Sequence, residues 1–146
     1  MKKMITFDKA IDIAIREERA SQKLYKNAGD KTTSESIKKL LDMLYEQEKE
    51  HEEKLKELKK DKDIELDLKK EIHLSEQSML TELSELNNLK KILEFALEKE
   101  NKASDMYKKL SECSIGKIHD LFKRLEEEEN SHYVMIEKEL KVIEYI

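Results

Sequence analysis

Proline is absent from this chain, and glycine occurs only at Gly29 and Gly116. So few residues that break or redirect a backbone argue against a loop-rich or β-rich fold and for long helices. The single cysteine, Cys113, rules out an intramolecular disulfide framework and suits a reducing compartment. No apolar run approaches the roughly 20 residues of a membrane-spanning helix. Lys2 and Lys3 look like the start of a signal peptide, but Asp8 ends the apolar stretch too early. Neither sign of charge dominates: 29 Lys+Arg stand against 34 Asp+Glu, a net −5, and the two are interspersed. There is neither a basic nucleic-acid footprint nor a sustained acidic tail. The expectation is a soluble cytoplasmic protein with no nucleic-acid or membrane partner.

What is present is charge on a helical period. With 43% charged and 38% hydrophobic residues, the chain folds only if its apolar side chains gather on one stripe of each helix. They do so four times within one domain, residues 1–146. The first pattern covers about 6–28, with Ile11, Ala14, Ile15, Glu18 and Tyr25 on its stripe and Gly29 as a left-handed stop. The second covers about 33–59, opened by a Thr32/Glu35 capping box, with Leu41, Leu44, Glu48, His51 and Leu55. The third covers about 89–110, capped by Asn88, with Leu93, Ala96, Leu97, Glu100 and Tyr107. The fourth covers about 115–139, with Phe122, Leu125, Glu129, His132 and Ile136.

Short links around Gly29 and Ser111–Ser114 imply two antiparallel helix hairpins. Residues 60–88 form a crossover. Ile64, Leu66 and Leu68 alternate there as an extended piece, and Met79, Leu80, Leu83 and Leu86 suggest a short helix. A connection of that length carries the chain the length of the bundle, so that the second and third helices run parallel. The fold class is therefore all-α, a four-helix bundle.

The two hairpins repeat. Setting Glu18 on Glu100 also sets Ala14 on Ala96, Ile15 on Leu97, Leu24 on Met106 and Tyr25 on Tyr107. Setting His51 on His132 sets Glu48 on Glu129, Leu44 on Leu125 and Leu41 on Phe122. Amphipathic period alone would match leucines, but not Glu, His and Tyr on the buried stripe. His73 and His119 have no such counterparts and are assigned to the surface or connections, as Cys113 is to a loop away from the site. Glu46, Glu50, Glu126, Glu127 and Glu128 are assigned to a solvated face.

Glu48-x-x-His51 and Glu129-x-x-His132 each place two ligand types on one face, one turn apart. With Glu18 and Glu100 they put four carboxylates where leucines belong. An isolated buried carboxylate costs several kcal/mol or more, and four converging would be prohibitive without cations. Two divalent ions balance that charge, and neutral imidazoles complete their shells. Oxygen-rich donors with one imidazole per ion suit Fe or Mn. Tyr25 and Tyr107, two turns along the same stripes, are placed to hydrogen-bond ligand carboxylates.

On these motifs, Ala14-Ile15-x-x-Glu18 with Tyr25, Glu48-x-x-His51, Ala96-Leu97-x-x-Glu100 with Tyr107, and Glu129-x-x-His132, the chain resembles the di-iron domain of the rubrerythrins, within the ferritin-like superfamily. The resemblance implies that Glu18, Glu48, His51, Glu100, Glu129 and His132 hold two iron ions, with Glu48 and Glu129 bridging. It also implies an oxidoreductase that reduces hydrogen peroxide or dioxygen under oxidative stress. Two departures stand out. One cysteine cannot build the rubredoxin-type iron site of rubrerythrins proper, so an external donor such as a rubredoxin-like protein is expected. The family's extra carboxylate, one turn after the third-helix ligand, is replaced by Ala103, with Ser21 in the first repeat. Alternatives are a ferroxidase or iron-handling protein, a manganese variant, or a helical module with a structural metal. Pairing into a homodimer is a further expectation, and the apolar end, Val142, Ile143, Tyr145 and Ile146, is expected either to join that interface or to dock on its own bundle.

Overall fold

The computed structural model describes residues 3–60, 72–74 and 89–144. Four helices account for most of them: α1 (Phe7–Lys31), α2 (Glu35–Lys60), α3 (Leu89–Glu112) and α4 (Gly116–Glu144). Two short strands, β1 (Lys3–Ile5) and β2 (Ile72–Leu74), pair antiparallel with Lys3 opposite Leu74 and Ile5 opposite Ile72. The ribbon lies beside α1 and α3. It adds a small extended element to the all-helical expectation, and it comes from the crossover and the N-terminal segment. The expected extended piece at Ile64–Leu68, the short helix at Met79–Leu86 and the Asn88 cap lie outside the described residues.

Helix ends follow local chemistry, with corrections to the sequence reading. Thr6 caps α1, its hydroxyl accepting the Lys9 N–H at 3.2 Å, and Asp8 and Lys31 complement the helix dipole at the two ends. Gly29 does not stop α1. The helix runs on to Lys31, because Ala28 and Gly29 are buried against α2 and that packing outweighs the weak helix propensity of glycine. Thr32 closes α1, donating its N–H to the Ala28 carbonyl, so the cap of α2 falls to Ser34, whose Oγ accepts the Ile37 N–H at 3.4 Å. The left-handed residue is Gly116, at φ 66°, where the chain turns from α3 into α4 and a side chain would be strained. Helix α4 extends to Glu144, past the expected end near 139, since Ile136, Leu140 and Ile143 continue its apolar stripe.

Partner residues fix the directions. Tyr25 of α1 meets Glu100 of α3, and Tyr107 of α3 meets Glu18 of α1, which makes those helices antiparallel. His51 meets Glu128 and His132 meets Gln47, so α2 and α4 are antiparallel too. With α1 and α2 joined by a short turn, α2 and α3 run parallel, as a full-length crossover requires.

The core has three layers. At one end Phe7, Ile11, Leu55, Leu110, Phe122 and Leu125 pack together, and at the other Leu24, Leu41, Leu44, Leu93 and Ile136. Cys113 is in a turn but buried within the first of these. Between them lies a layer of carboxylates and imidazoles. At the C-terminal end, Ile143 docks on its own bundle while Val142 is exposed; Tyr145 and Ile146 lie outside the described residues. No helix among the described residues is long and apolar enough to cross a membrane.

Candidate metal centre

Each helix sends one or two polar side chains into the middle layer because they occupy positions on the same buried stripe as the apolar residues of the two flanking layers. Glu18, Glu48, His51, Glu100, Glu129 and His132 are each no more than 2% exposed. One donor atom apiece from Glu18, Glu48, His51 and Glu129 falls within 4.8 Å of the others, and the same holds for Glu48, Glu100, Glu129 and His132. Glu48 and Glu129 belong to both sets. The structure therefore brings together all six residues singled out in the sequence, as two overlapping groups that share the carboxylates of the Glu-x-x-His pairs.

The spacing within each group suits a cation. His51 Nδ1 stands 2.9 Å from Glu129 Oε1, 3.5 Å from Glu18 Oε1 and 3.6 Å from Glu48 Oε1. His132 Nδ1 stands 3.0 Å from Glu48 Oε1, 3.5 Å from Glu100 Oε2 and 3.6 Å from Glu129 Oε1. Donors about 2.1 Å from one ion and at right angles about it are about 3 Å apart. Among the described residues, both Nδ1 atoms and oxygens of all four glutamates are buried without a hydrogen-bond partner. Even the 2.9 Å approach lacks hydrogen-bond alignment. Buried polar atoms are seldom left orphaned, and seven converging on one layer mark places where ions fit.

Electrostatics point the same way. Burial, then the neighbouring Glu18 and Glu100 carboxylates, push Glu48 well above the usual carboxylate range. Burial, then Glu100, Glu48 and Glu18, do the same to Glu129. Burial works against the charged form of Glu100 too, but His132, Glu129 and the Tyr25 hydroxyl outweigh it and draw the group below the usual range. Burial alone would lower His51, yet Glu18, Glu48 and Glu128 raise it to about 9. With only protons to balance them, these four carboxylates cannot all stay charged.

Tyr25 and Tyr107 reach across to the opposite hairpin. The Tyr107 hydroxyl donates to Glu18 Oε1 at 2.5 Å, and the Tyr25 hydroxyl donates to Glu100 Oε1. Burial, then the facing glutamates, hold both phenols well above their ordinary pKa, so both remain donors.

The sequence reading missed Gln47 and Glu128. Each immediately precedes a Glu of a Glu-x-x-His pair, and each reaches the outer nitrogen of the histidine on the other hairpin: Glu128 Oε2 is 2.5 Å from His51 Nε2, and Gln47 Oε1 meets His132 Nε2. Glu128 is thus not merely part of a solvated face. The signal was available: a ligating imidazole needs a partner on its second nitrogen, and Gln47 and Glu128 are repeat counterparts. Two ion-pair clusters beside the centre were missed as well. Lys99 Nζ, buried, meets Glu17 Oε2 at 3.0 Å between α1 and α3. Glu52 accepts from Arg19, Gln22 and Lys56 between α1 and α2. His119 is half-buried and bonds the Ser111 carbonyl at 2.7 Å, away from the centre.

The rubrerythrin family model matches residues 8–140. The chain belongs to the rubrerythrin family. Among solved structures, a hypothetical protein from Pyrococcus furiosus shares the fold with a TM-score of 0.76 at 23% identity, covering 94% of this chain and 90% of that one. A comparison with curated proteins finds no match. Within this rubrerythrin-family bundle, Ser21 and Ala103, one turn after Glu18 and Glu100, bring no further carboxylate to the layer. The buried carboxylate–imidazole cluster could hold a metal.

Proposed function

We propose that this bundle is a di-iron carboxylate oxidoreductase that reduces hydrogen peroxide or dioxygen with electrons from an external donor. The observation that carries this reading is the pair of overlapping ligand groups sharing Glu48 and Glu129, with their inward atoms unpartnered. Glu18, Glu48, Glu129 and His51 would hold one ion; Glu100, Glu48, Glu129 and His132 would hold the other. Oxygen-rich donors with one imidazole each favour iron, or manganese in its place. Two ferrous ions so held would supply the two electrons that cleave a peroxide O–O bond.

The chain's own residues provide the rest. Reducing one peroxide consumes two electrons and two protons and leaves two waters. Tyr25 and Tyr107 orient Glu100 and Glu18 through their hydroxyls, so the carboxylates are held in place before an ion arrives. The apolar layers above and below exclude bulk water, which strengthens every charge interaction between them. The one cysteine of this sequence cannot ligate a rubredoxin-type iron, so the electrons come from outside these residues, from a small redox protein in a reducing, cytoplasmic setting.

The test is anaerobic loading with Fe(II), then peroxide or dioxygen in the presence of a chemical reductant. Repeated turnover without iron accumulation supports the reading. Mineral formation would favour iron handling instead, and redox-silent metal a structural role. Glu48→Ala should abolish turnover while leaving the bundle folded by circular dichroism; full turnover in that variant would overturn the proposal.

A further inference from the structure

The two ligand groups are repeat counterparts in every inward residue, but not behind their histidines. His51 Nε2 faces the carboxylate of Glu128, whereas His132 Nε2 faces the amide of Gln47. Resting on the metal-centre reading above, we infer that the two ion positions are unequal, and that the one beside His51 takes the first divalent ion because Glu128 stands behind that histidine.

Two effects favour that order. To offer a lone pair on Nδ1, the ring must carry its proton on Nε2. An ionised carboxylate can only accept, so Glu128 selects that tautomer and turns the His51 lone pair toward Glu18, Glu48 and Glu129. The Gln47 side chain accepts through its oxygen but can rotate to present its NH₂, which would select the other tautomer and point an N–H into the ligand layer. Gln47 therefore leaves His132 less firmly committed. A charge-assisted bond to the outer nitrogen also makes the ring a stronger donor than an amide does. Both effects act on the same ion position, while the donors themselves match in type: Glu18 against Glu100, Tyr107 against Tyr25, and the shared Glu48 and Glu129.

Partners behind a ligating histidine commonly change affinity about 10- to 100-fold. Glu128 is partly exposed, with 38% of its side chain open to solvent, so the effect belongs at the lower end, about tenfold. Neither Glu128 nor Gln47 lies in the apolar layers, so Glu128→Gln and Gln47→Glu should leave the bundle folded.

The experiment is crystallographic occupancy after equilibration with one equivalent of Co(II) per chain, read from anomalous scattering at the two positions. The full chain should show cobalt concentrated beside His51. Glu128→Gln should even the two occupancies, and Glu128→Gln combined with Gln47→Glu should invert them. A role for Glu128 in bundle stability alone would not move the ratio, and inversion by the double swap has no such explanation. Equal occupancy in the parent chain, cobalt concentrated beside His132, or a ratio indifferent to both substitutions would overturn the inference while leaving the metal centre standing. Failure to bind cobalt in this layer at all would overturn both.

Discussion

The apolar layers and the polar layer between them are built on the same four helices with the same period, yet they hold the bundle together on different terms. Phe122 and Leu41 are buried among hydrocarbon and stabilise the fold in any buffer. Glu48 and Glu129, equally buried, favour it only when something offsets their charge. Periodicity therefore sets where a side chain goes, while its chemistry sets whether that placement is a gain or a debt. A bundle that carries such a layer gives up stability to keep four carboxylates together.

The sharpest contrast should come from removing the cations. Stripping loaded protein with a chelator should lower its thermal midpoint, by the equivalent of about 4 kcal/mol where the free ion had stood a thousandfold above its Kd. An unchanged midpoint in calorimetry would break the comparison at once. Phe122→Ala comes next. Phe122 packs against Phe7 and Tyr107 at centroid distances of 6.1 and 6.3 Å, so its loss should cost about 3–5 kcal/mol in urea unfolding. The cost should be similar in loaded and stripped protein, since that layer does not depend on charge.

Glu48→Met sharpens the contrast from the other side. With the shared carboxylate replaced by an apolar chain of similar volume, the stripped protein should gain about 1 kcal/mol or more, while ion binding is lost. A variant less stable than the stripped parent would mean that Glu48 has a structural partner the geometry does not reveal.

How far the sequence disclosed this arrangement follows from the same contrast. The six inward residues were legible because a Glu or His on an apolar stripe breaks the pattern twice, at matching positions of a repeat. Gln47 and Glu128 were harder to pick out, because one position off the stripe a polar residue looks like any other surface residue in a chain that is 43% charged, and only their matching repeat positions set them apart. Their role depends on how closely α2 approaches α4, which no periodicity encodes. Gly29 and Gly116 illustrate a second limit. Both follow a helical run, but burial against α2 keeps the first helical, and only the turn after Glu112 needs the left-handed backbone. Likewise Ser34, not Thr32, caps α2, because Thr32 is occupied closing α1.

The smallest effect is expected at Glu52, just outside the polar layer. Burial would raise its pKa, but Lys56, Gln22 and Arg19 outweigh that and lower it from 4.5 to about 2. A folded pKa below the unfolded one contributes stability above about 4.5, which is lost as pH falls toward about 2. Glu52→Gln should flatten that part of the acid-unfolding profile. At neutral pH it should cost less than about 1 kcal/mol, because Arg19 is largely exposed. An acid profile identical to the parent's would show that the cluster does not clamp α1 to α2.

The central claim is that the buried glutamates and histidines exist to hold a pair of ions, and counting ions tests it most directly. Anaerobic titration with Fe(II), read by equilibrium dialysis and metal analysis, should reach two ions per chain, and Glu48→Ala combined with Glu129→Ala should abolish that uptake. A chain that binds no iron, or binds as much after both substitutions, would contradict the account.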